Sequence, residues 1–130
     1  MSYETLAFIG AGNMASSLIS GLIADGYPPE KIRISDPQAA LSRNLGERYG
    51  VVVCADNHEA LMSAAVVVLA VKPQVMRVVL EELADSLNRA QPLLLSIAAG
   101  ISCHSIQSWS GGLKAIVRSM PNTPAMVQSG

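Results

Sequence analysis

A pair of glycines near the start of the chain constrains the fold more than any other feature. The segment 10–15 has the form G-x-G-x-x-A. It follows the apolar run Leu6–Ile9, which is too short for a helix and predicts a buried strand. It precedes a stretch, residues 14–24, in which apolar residues recur every three to four positions. A strand, a glycine turn and a helix in succession predict the first unit of a parallel sheet.

Strand-like and helix-like segments alternate along the rest of the chain. We predict strands at residues 6–9, 32–35, 51–54, 64–71, 92–97 and 113–117. We predict helices at residues 14–24, 38–49, 75–87 and 102–110, and a short helix that Asn57 caps and that runs through Ser63. This alternation predicts an α/β fold of the Rossmann type, a doubly wound, mainly parallel sheet with helices on both faces, in one domain over residues 1–130.

The helix predicted at 75–87 is amphipathic. Its apolar stripe is expected at Val75, Val79, Leu83 and Leu87, with charged residues on the outer face. The aromatic content of the chain is only 4%, so the core is expected to consist of aliphatic side chains, with Trp109 filling a gap in the packing.

The glycine motif has the residues that a dinucleotide-binding turn requires. Gly10 permits a tight turn, Gly12 lets a pyrophosphate approach the backbone, and Ala15 is small enough for the helix to pack closely on the sheet. The free N–H groups at the start of the helix then face the anion. The alternative is a sharp turn between strand and helix without a ligand.

An acidic residue, Asp36, ends the second predicted strand and lies 21 positions beyond Ala15. In this fold a carboxylate at that place binds the adenosine ribose. Asp36 is followed by Pro37, so it is also compatible with an ordinary turn. A carboxylate there would repel a 2′-phosphate. No arginine follows directly, since the nearest downstream one, Arg43, lies inside the predicted helix. This pattern favours NADH over NADPH.

The charge balance excludes several classes of partner. Nine basic and ten acidic residues give a net charge of −1, so we expect neither nucleic acid nor a membrane as a partner. No apolar run approaches the roughly 20 residues that span a bilayer, and the N-terminus lacks the pattern of a signal peptide. We therefore expect a cytoplasmic protein.

Four segments together resemble the pyrroline-5-carboxylate reductase family. They are residues 8–15, 70–74, 96–100 and 118–124, and the run Met-Pro-Asn-Thr-Pro at 120–124 is the most specific of them. The resemblance covers the whole chain. It implies an oxidoreductase of proline biosynthesis that transfers hydride from NAD(P)H to Δ1-pyrroline-5-carboxylate, a small imine, and forms L-proline.

The resemblance also implies site residues, none of them catalytic and none a metal ligand. It implies a pyrophosphate loop at Ile9, Gly10, Ala11, Gly12, Asn13 and Met14, adenosine contacts at Ser35, Asp36 and Asn57, contacts towards the nicotinamide at Ala70, Val71, Lys72, Pro73, Ala98, Ala99 and Gly100, and a substrate pocket at Asn122 and Thr123. Members often prefer NADPH, whereas Asp36-Pro37 departs from the family pattern, so NADP and NAD both remain open. From its sequence context alone, Lys72 is either near the cofactor or an ordinary surface lysine.

The resemblance further implies a helical C-terminal domain that dimerises and completes the substrate pocket. We therefore expect this chain to be the cofactor domain of a longer homo-oligomeric enzyme, and to be inactive alone. The alternatives are a reductase of the β-hydroxyacid dehydrogenase type and a non-catalytic dinucleotide-binding module. Cys54 and Cys103 are expected to be reduced and at least half-buried, and His58 and His104 to be unrelated to a metal site.

Overall fold

The computed structural model describes residues 3–97, 101–112 and 115–118. The strands are β1 (Leu6–Ile9), β2 (Ile32–Ser35), β3 (Val52–Val53), β4 (Val66–Leu69), β5 (Leu93–Ser96) and β6 (Ile116–Arg118). The helices are α1 (Asn13–Ala24), α2 (Ala39–Tyr49), α3 (Asn57–Leu61), α4 (Pro73–Ala90) and α5 (Cys103–Trp109), with a short 3₁₀ helix at Pro29–Lys31. None of the helices within these residues is both long enough and apolar enough to cross a lipid bilayer.

The six strands form one sheet in the order β3-β2-β1-β4-β5-β6, and every neighbouring pair is parallel. The central strand β1 pairs on one side with β2, where Leu6 is opposite Ile32, and on the other with β4, where Leu6 is opposite Val66. The chain therefore winds outwards from β1 in both directions, and the predicted Rossmann-type doubly wound fold is confirmed.

Side chains on the two faces of the sheet build two separate cores. Ala7 and Ile9 of β1 point into one core, which α3, α4 and α5 cover. Phe8, between them, points into the other, which α1 and α2 cover. Both cores are aliphatic apart from Phe8 and aromatic rings at their margins, and Trp109 packs at the margin of the first, as predicted.

The buried face of α4 differs from the predicted one. The stripe consists of Met76, Leu80, Leu83 and Leu87, each fully buried. Val75 is 43% exposed, because one residue in a helix turns the side chain by about 100° from that of its neighbour Met76. The prediction was therefore correct for Leu83 and Leu87 and wrong for Val75, whereas Val79 is partly buried beside the core.

Several predicted boundaries differ from the observed ones. The strand predicted at 64–71 is β4 at Val66–Leu69, the helix predicted at 75–87 is α4 at Pro73–Ala90, the strand predicted at 113–117 is β6 at Ile116–Arg118, and the short helix predicted through Ser63 ends at Leu61. The third strand is shorter than residues 51–54, because Val52 and Val53 alone pair with β2 at the edge of the sheet. The helix α3 is capped by Asp56, whose Oδ1 accepts a hydrogen bond from the Glu59 amide at 2.8 Å, and not by Asn57. Asp56 has the extended backbone of a cap, so Asn57 is the first residue inside the helix.

Candidate functional site

The predicted site residues within the described chain gather at one edge of the sheet. All strands are parallel, so their carboxyl ends lie at the same edge, and in this type of sheet ligands bind there. The order β2-β1-β4 places three segments side by side at the centre of that edge. These are the glycine loop after β1, the end of β2 with Asp36, and the segment 70–73 after β4.

Gly10 is a glycine because the fold requires one. Its φ is +106°, a backbone conformation that favours glycine. A Cβ on Gly10 would lie 2.6 Å from the carbonyl oxygen of Ala70, at the end of the neighbouring strand. The Gly10 amide also donates to the carbonyl of Ser35 at 2.9 Å. The loop is thus held between β2 and β4.

Gly12 has no such requirement within the described chain. Its φ is −81°, which any residue adopts, and a Cβ there would meet no described atom within 4 Å. Gly12 precedes the first residue of α1, where backbone N–H groups lack partners inside the helix and the helix dipole is positive. No side chain caps this end among the described residues, and the first turn contains no acidic residue. The open space above Gly12 can therefore accept an anionic group close to the backbone.

Asp36 lies in the site and binds two backbone amides. Its Oδ2 accepts a hydrogen bond from Ala11 at 2.8 Å, and its Oδ1 accepts one from Gln38 at 2.7 Å. The hydrogen bond from the Gln38 amide forms part of the local turn that the Asp-Pro sequence predicts. The bond to Ala11 joins the carboxylate to the glycine loop, 25 positions earlier in the chain. Each carboxylate oxygen has a second lone pair, so the group can still accept a hydroxyl.

Ser35 and Asn57 form a pair beside Asp36. Ser35 is 1% exposed, and its hydroxyl donates a hydrogen bond to Oδ1 of Asn57. The carbonyl side of the Asn57 amide is therefore directed at Ser35, and the nitrogen, a donor, is directed away from it. The Ser35 side chain is thus almost inaccessible from outside, whereas Asn57 is half-buried.

The segment after β4 continues the ladder and then starts α4. Ala70 donates to the carbonyl of Ile9 at 2.8 Å, and Val71 packs against the core under α4. Lys72 is exposed at this edge and precedes Pro73, the first residue of α4. Position and exposure are compatible with both interpretations of Lys72. The remaining predicted residues, Ala98, Ala99, Gly100, Asn122 and Thr123, lie outside the described residues.

One cysteine is buried and the other is exposed. Cys54 is buried, and burial, with the nearby Glu59 carboxylate as a second cause, raises the pKa of its thiol. Cys103 is exposed, so the prediction that it is at least half-buried was wrong. It is the first residue of α5, whose buried face is formed by Ile106 three positions later.

The sequence predicts that the two histidines are unrelated to a metal site. The Nδ1 atom of His58 lies 3.1 Å from Ser86 Oγ, and the His58 side chain lines a cavity of about 300 Å³ together with Arg89, near the end of α4. Over the described ranges no three His, Cys, Asp or Glu side chains are grouped so that they could hold a metal ion.

Local sequence pattern does not predict how the site is held together. The resemblance predicts Ser35, Asp36 and Asn57 as site residues, but it predicts neither the hydrogen bond from Ala11 to Asp36 nor the one from Ser35 to Asn57. The partners are 25 and 22 positions apart, so local pattern carries no signal for them. The parallel pairing of β1 with β2 and the position of α3 bring them together.

Comparison with known proteins gives a family and close relatives. Residues 5–100 match the family described as NADP oxidoreductase, coenzyme F420-dependent. The chain is 49% identical over its full length to a pyrroline-5-carboxylate reductase of Pseudomonas aeruginosa, of which it covers 47%. It thus spans about half the length of the curated relatives that it matches.

Solved structures agree with these matches. A pyrroline-5-carboxylate reductase of Coxiella burnetii superposes with a TM-score of 0.90 at 40% identity, over 98% of this chain and 47% of that one. The pyrroline carboxylate reductase of Plasmodium falciparum, solved with NADP bound, superposes with a TM-score of 0.80 at 27% identity, over 98% and 45%. The similarity predicted from the four sequence segments is confirmed.

Proposed function

This chain belongs to the family described as NADP oxidoreductase, coenzyme F420-dependent, and on that premise we propose that it is the dinucleotide-binding domain, residues 1–130, of a pyrroline-5-carboxylate reductase. The relatives with up to 49% identity over the whole chain support this assignment. The complete enzyme reduces Δ1-pyrroline-5-carboxylate to L-proline in the cytoplasm. Bound at the carboxyl edge of the sheet, the reduced nicotinamide would supply a hydride to the C=N carbon of the protonated imine and would itself be oxidised.

The observation that carries the proposal is the open space above Gly12. Neither its φ of −81° nor any described neighbour within 4 Å requires a glycine. A ligand that approaches the backbone does require one. With the uncapped start of α1 directly behind it, this position suits the pyrophosphate of a dinucleotide.

The other residues at this edge complete the binding site. Ile9, Gly10, Ala11, Gly12, Asn13 and Met14 surround the pyrophosphate, and Ser35, Asp36 and Asn57 serve the adenosine side. Towards the nicotinamide we assign Ala70, Val71, Lys72 and Pro73. The family resemblance extends this assignment to Ala98, Ala99 and Gly100 and assigns the substrate pocket to Asn122 and Thr123, all five outside the described residues.

We assign NADH as the preferred cofactor of this chain. The carboxylate of Asp36 is held by two backbone amides at 2.7 and 2.8 Å, so it has no free rotation away from the ribose site. A 2′-phosphate would lie against this negative charge, which disfavours NADPH by about tenfold or more in affinity. The relative with NADP bound is only 27% identical, so its cofactor does not determine the preference here.

The substrate half of the enzyme belongs to a second domain. The chain covers 47% of the relative from Pseudomonas aeruginosa, so we assign dimerisation and most of the substrate pocket to the remainder of the parent protein. This chain alone is then expected to bind cofactor without forming proline. Measurable proline formation by the 130-residue chain would contradict this division.

A pair of matched glycine variants tests the cofactor site. Gly12→Ala places a methyl group in the proposed pyrophosphate site, and titration with NADH is expected to show at least about a tenfold loss of affinity. Gly21→Ala is the control, because Gly21 lies in the same helix and a Cβ there also meets no described atom within 4 Å. Its affinity for NADH is expected to stay within about twofold of wild type. Equal affinities of the two variants would refute the site.

Titration with both reduced cofactors tests the preference. The wild-type chain is expected to bind NADH more tightly than NADPH, and the difference is expected to shrink at high salt, which screens charge. Tighter binding of NADPH would contradict the assignment to Asp36. Reduction of the imine by the complete parent protein tests the activity itself.

A further inference from the structure

The glycine loop is bonded to its surroundings mostly through backbone groups. Gly10 donates to Ser35 at 2.9 Å, and the carbonyl of Gly12 accepts from Ser16 at 3.0 Å. Substitution of a side chain leaves these groups in place. The bond from the Ala11 amide differs from both, because it ends on a side chain, the carboxylate of Asp36.

The Ala11 amide is buried and has Asp36 as its hydrogen-bond acceptor. The residue is 4% exposed, so its amide is largely shielded from water and depends on Asp36 for a hydrogen bond. A charged acceptor makes this bond stronger than a neutral one. The next peptide unit leads to Gly12, which lacks a Cβ to restrict its rotation. The carboxylate thus limits rotation at the point where the pyrophosphate approaches.

We propose that Asp36 is a positioning residue that fixes the glycine loop in its binding conformation, in addition to its contact with the ribose. The inference rests on the proposed function, since it concerns the same binding site. Loss of the carboxylate is then expected to weaken the binding of every ligand that contacts the loop, including ligands without a ribose. A substitution at this position changes cofactor preference and loop geometry together.

The first experiment measures the hydrogen bond itself in the wild-type chain. A scalar coupling across the bond, between the Ala11 amide nitrogen and Asp36 Cγ, is expected by NMR. Absence of the coupling, with the Gln38 coupling to the same carboxylate visible, would overturn the proposal. This measurement needs no variant and no ligand, so it stands even if a variant fails to fold.

The second experiment uses matched serine variants. Asp36→Ser shortens the side chain by one bond and removes its reach to Ala11, and hydrogen exchange at the Ala11 amide is expected to accelerate about tenfold or more. Asp56→Ser is the control, since Asp56 also binds one backbone amide, that of Glu59 at 2.8 Å, and serine preserves this cap. Exchange at Ala11 that stays within about twofold of wild type in the D36S chain would refute the positioning role.

The third experiment connects the loop to binding. Inorganic pyrophosphate has no ribose, and its affinity is expected to fall at least about threefold in the D36S chain but to remain within about twofold in the D56S chain. Removal of a negative charge alone would raise the affinity for an anion, so unchanged or tighter binding in D36S overturns the proposal. If the wild-type chain binds neither pyrophosphate nor NADH, the proposed function fails instead, and the coupling and exchange at Ala11 still decide the role of Asp36.

Discussion

The carbonyl oxygen of Ala70 lies over Gly10 so closely that a Cβ on Gly10 would be 2.6 Å from it. This contact joins the end of β1 to the end of β4 at the centre of the sheet. The same contact shows that Gly10 and Gly12, which occupy similar positions in the sequence motif, have different structural roles. Gly10 is required by the fold, whereas nothing in the described chain requires Gly12.

Gly10→Ala is therefore expected to destabilise the protein. The methyl group meets a backbone carbonyl, and the φ of +106° is strained for alanine, so we expect a loss of at least about 2 kcal/mol in the free energy of unfolding. Urea denaturation followed by circular dichroism measures it. Gly21→Ala, in an exposed part of α1, is expected to be neutral or stabilising by up to about 1 kcal/mol. Equal stabilities of the two variants would contradict the close contact.

Ser35→Ala is expected to affect both stability and binding. The substitution removes the hydroxyl that donates to Oδ1 of Asn57. We therefore expect the free energy of unfolding to fall by about 1–2 kcal/mol and the affinity for NADH to fall several-fold. Ser42→Ala is the matched control, because Ser42 is also buried but donates to Ala39 within its own helix. An affinity for NADH that is the same in both variants would show that the orientation of Asn57 does not matter.

Leu83→Ala tests the observed face of α4. Leu83 is fully buried, and its truncation is expected to lower the free energy of unfolding by about 2–5 kcal/mol. Val75→Ala, at a position 43% exposed, is expected to cost less than about 1 kcal/mol. Similar losses for the two variants would instead support the stripe predicted from the sequence. Thermal or chemical denaturation distinguishes these outcomes.

The two thiols are expected to react at different rates. Cys54 is buried and its pKa is raised, so a thiol reagent at neutral pH is expected to label Cys103 first. The raised pKa also makes stability depend on pH. The contribution of Cys54 is fully present below the unfolded value of 9.0 and is lost as the pH rises through the higher folded value.

A cysteine variant measures this pH dependence. Cys54→Ser is expected to reduce the fall in unfolding free energy above pH 9 relative to the wild-type chain. A fall in C54S that is identical to that of the wild type would show that Cys54 does not cause it. Mass spectrometry after partial labelling gives the order of reaction independently.

Local pattern in the sequence predicts much of the fold. The bounds of β1 and β2 are correct because Gly10 closes the apolar run of β1 and Asp36-Pro37 closes the segment of β2, in which isoleucines alternate with polar residues. The buried face of α4 was wrong at Val75 because periodicity gives the spacing of a stripe but leaves its rotation open when apolar residues are adjacent, as in 75–76 and 78–80.

The candidate site divides in the same way. The residue types and their order after each strand predicted which side chains lie at the carboxyl edge. The contacts among them depend on which strands are neighbours, and the sheet order sets that. Asp36 illustrates the difference: its turn with Gln38 follows from two adjacent positions, but its bond to Ala11 follows from the pairing of β1 with β2.

The all-parallel pairing has a consequence for how quickly the chain folds. Neighbouring parallel strands cannot be joined by a tight turn, and β1 meets β4 only after a loop of about 60 residues closes, from Leu6 to Val66. Closing long loops slows folding towards the millisecond to second range. The glycine loop follows β1 and is held between the ends of β2 and β4, so it is expected to become ordered late, after these three central strands have assembled.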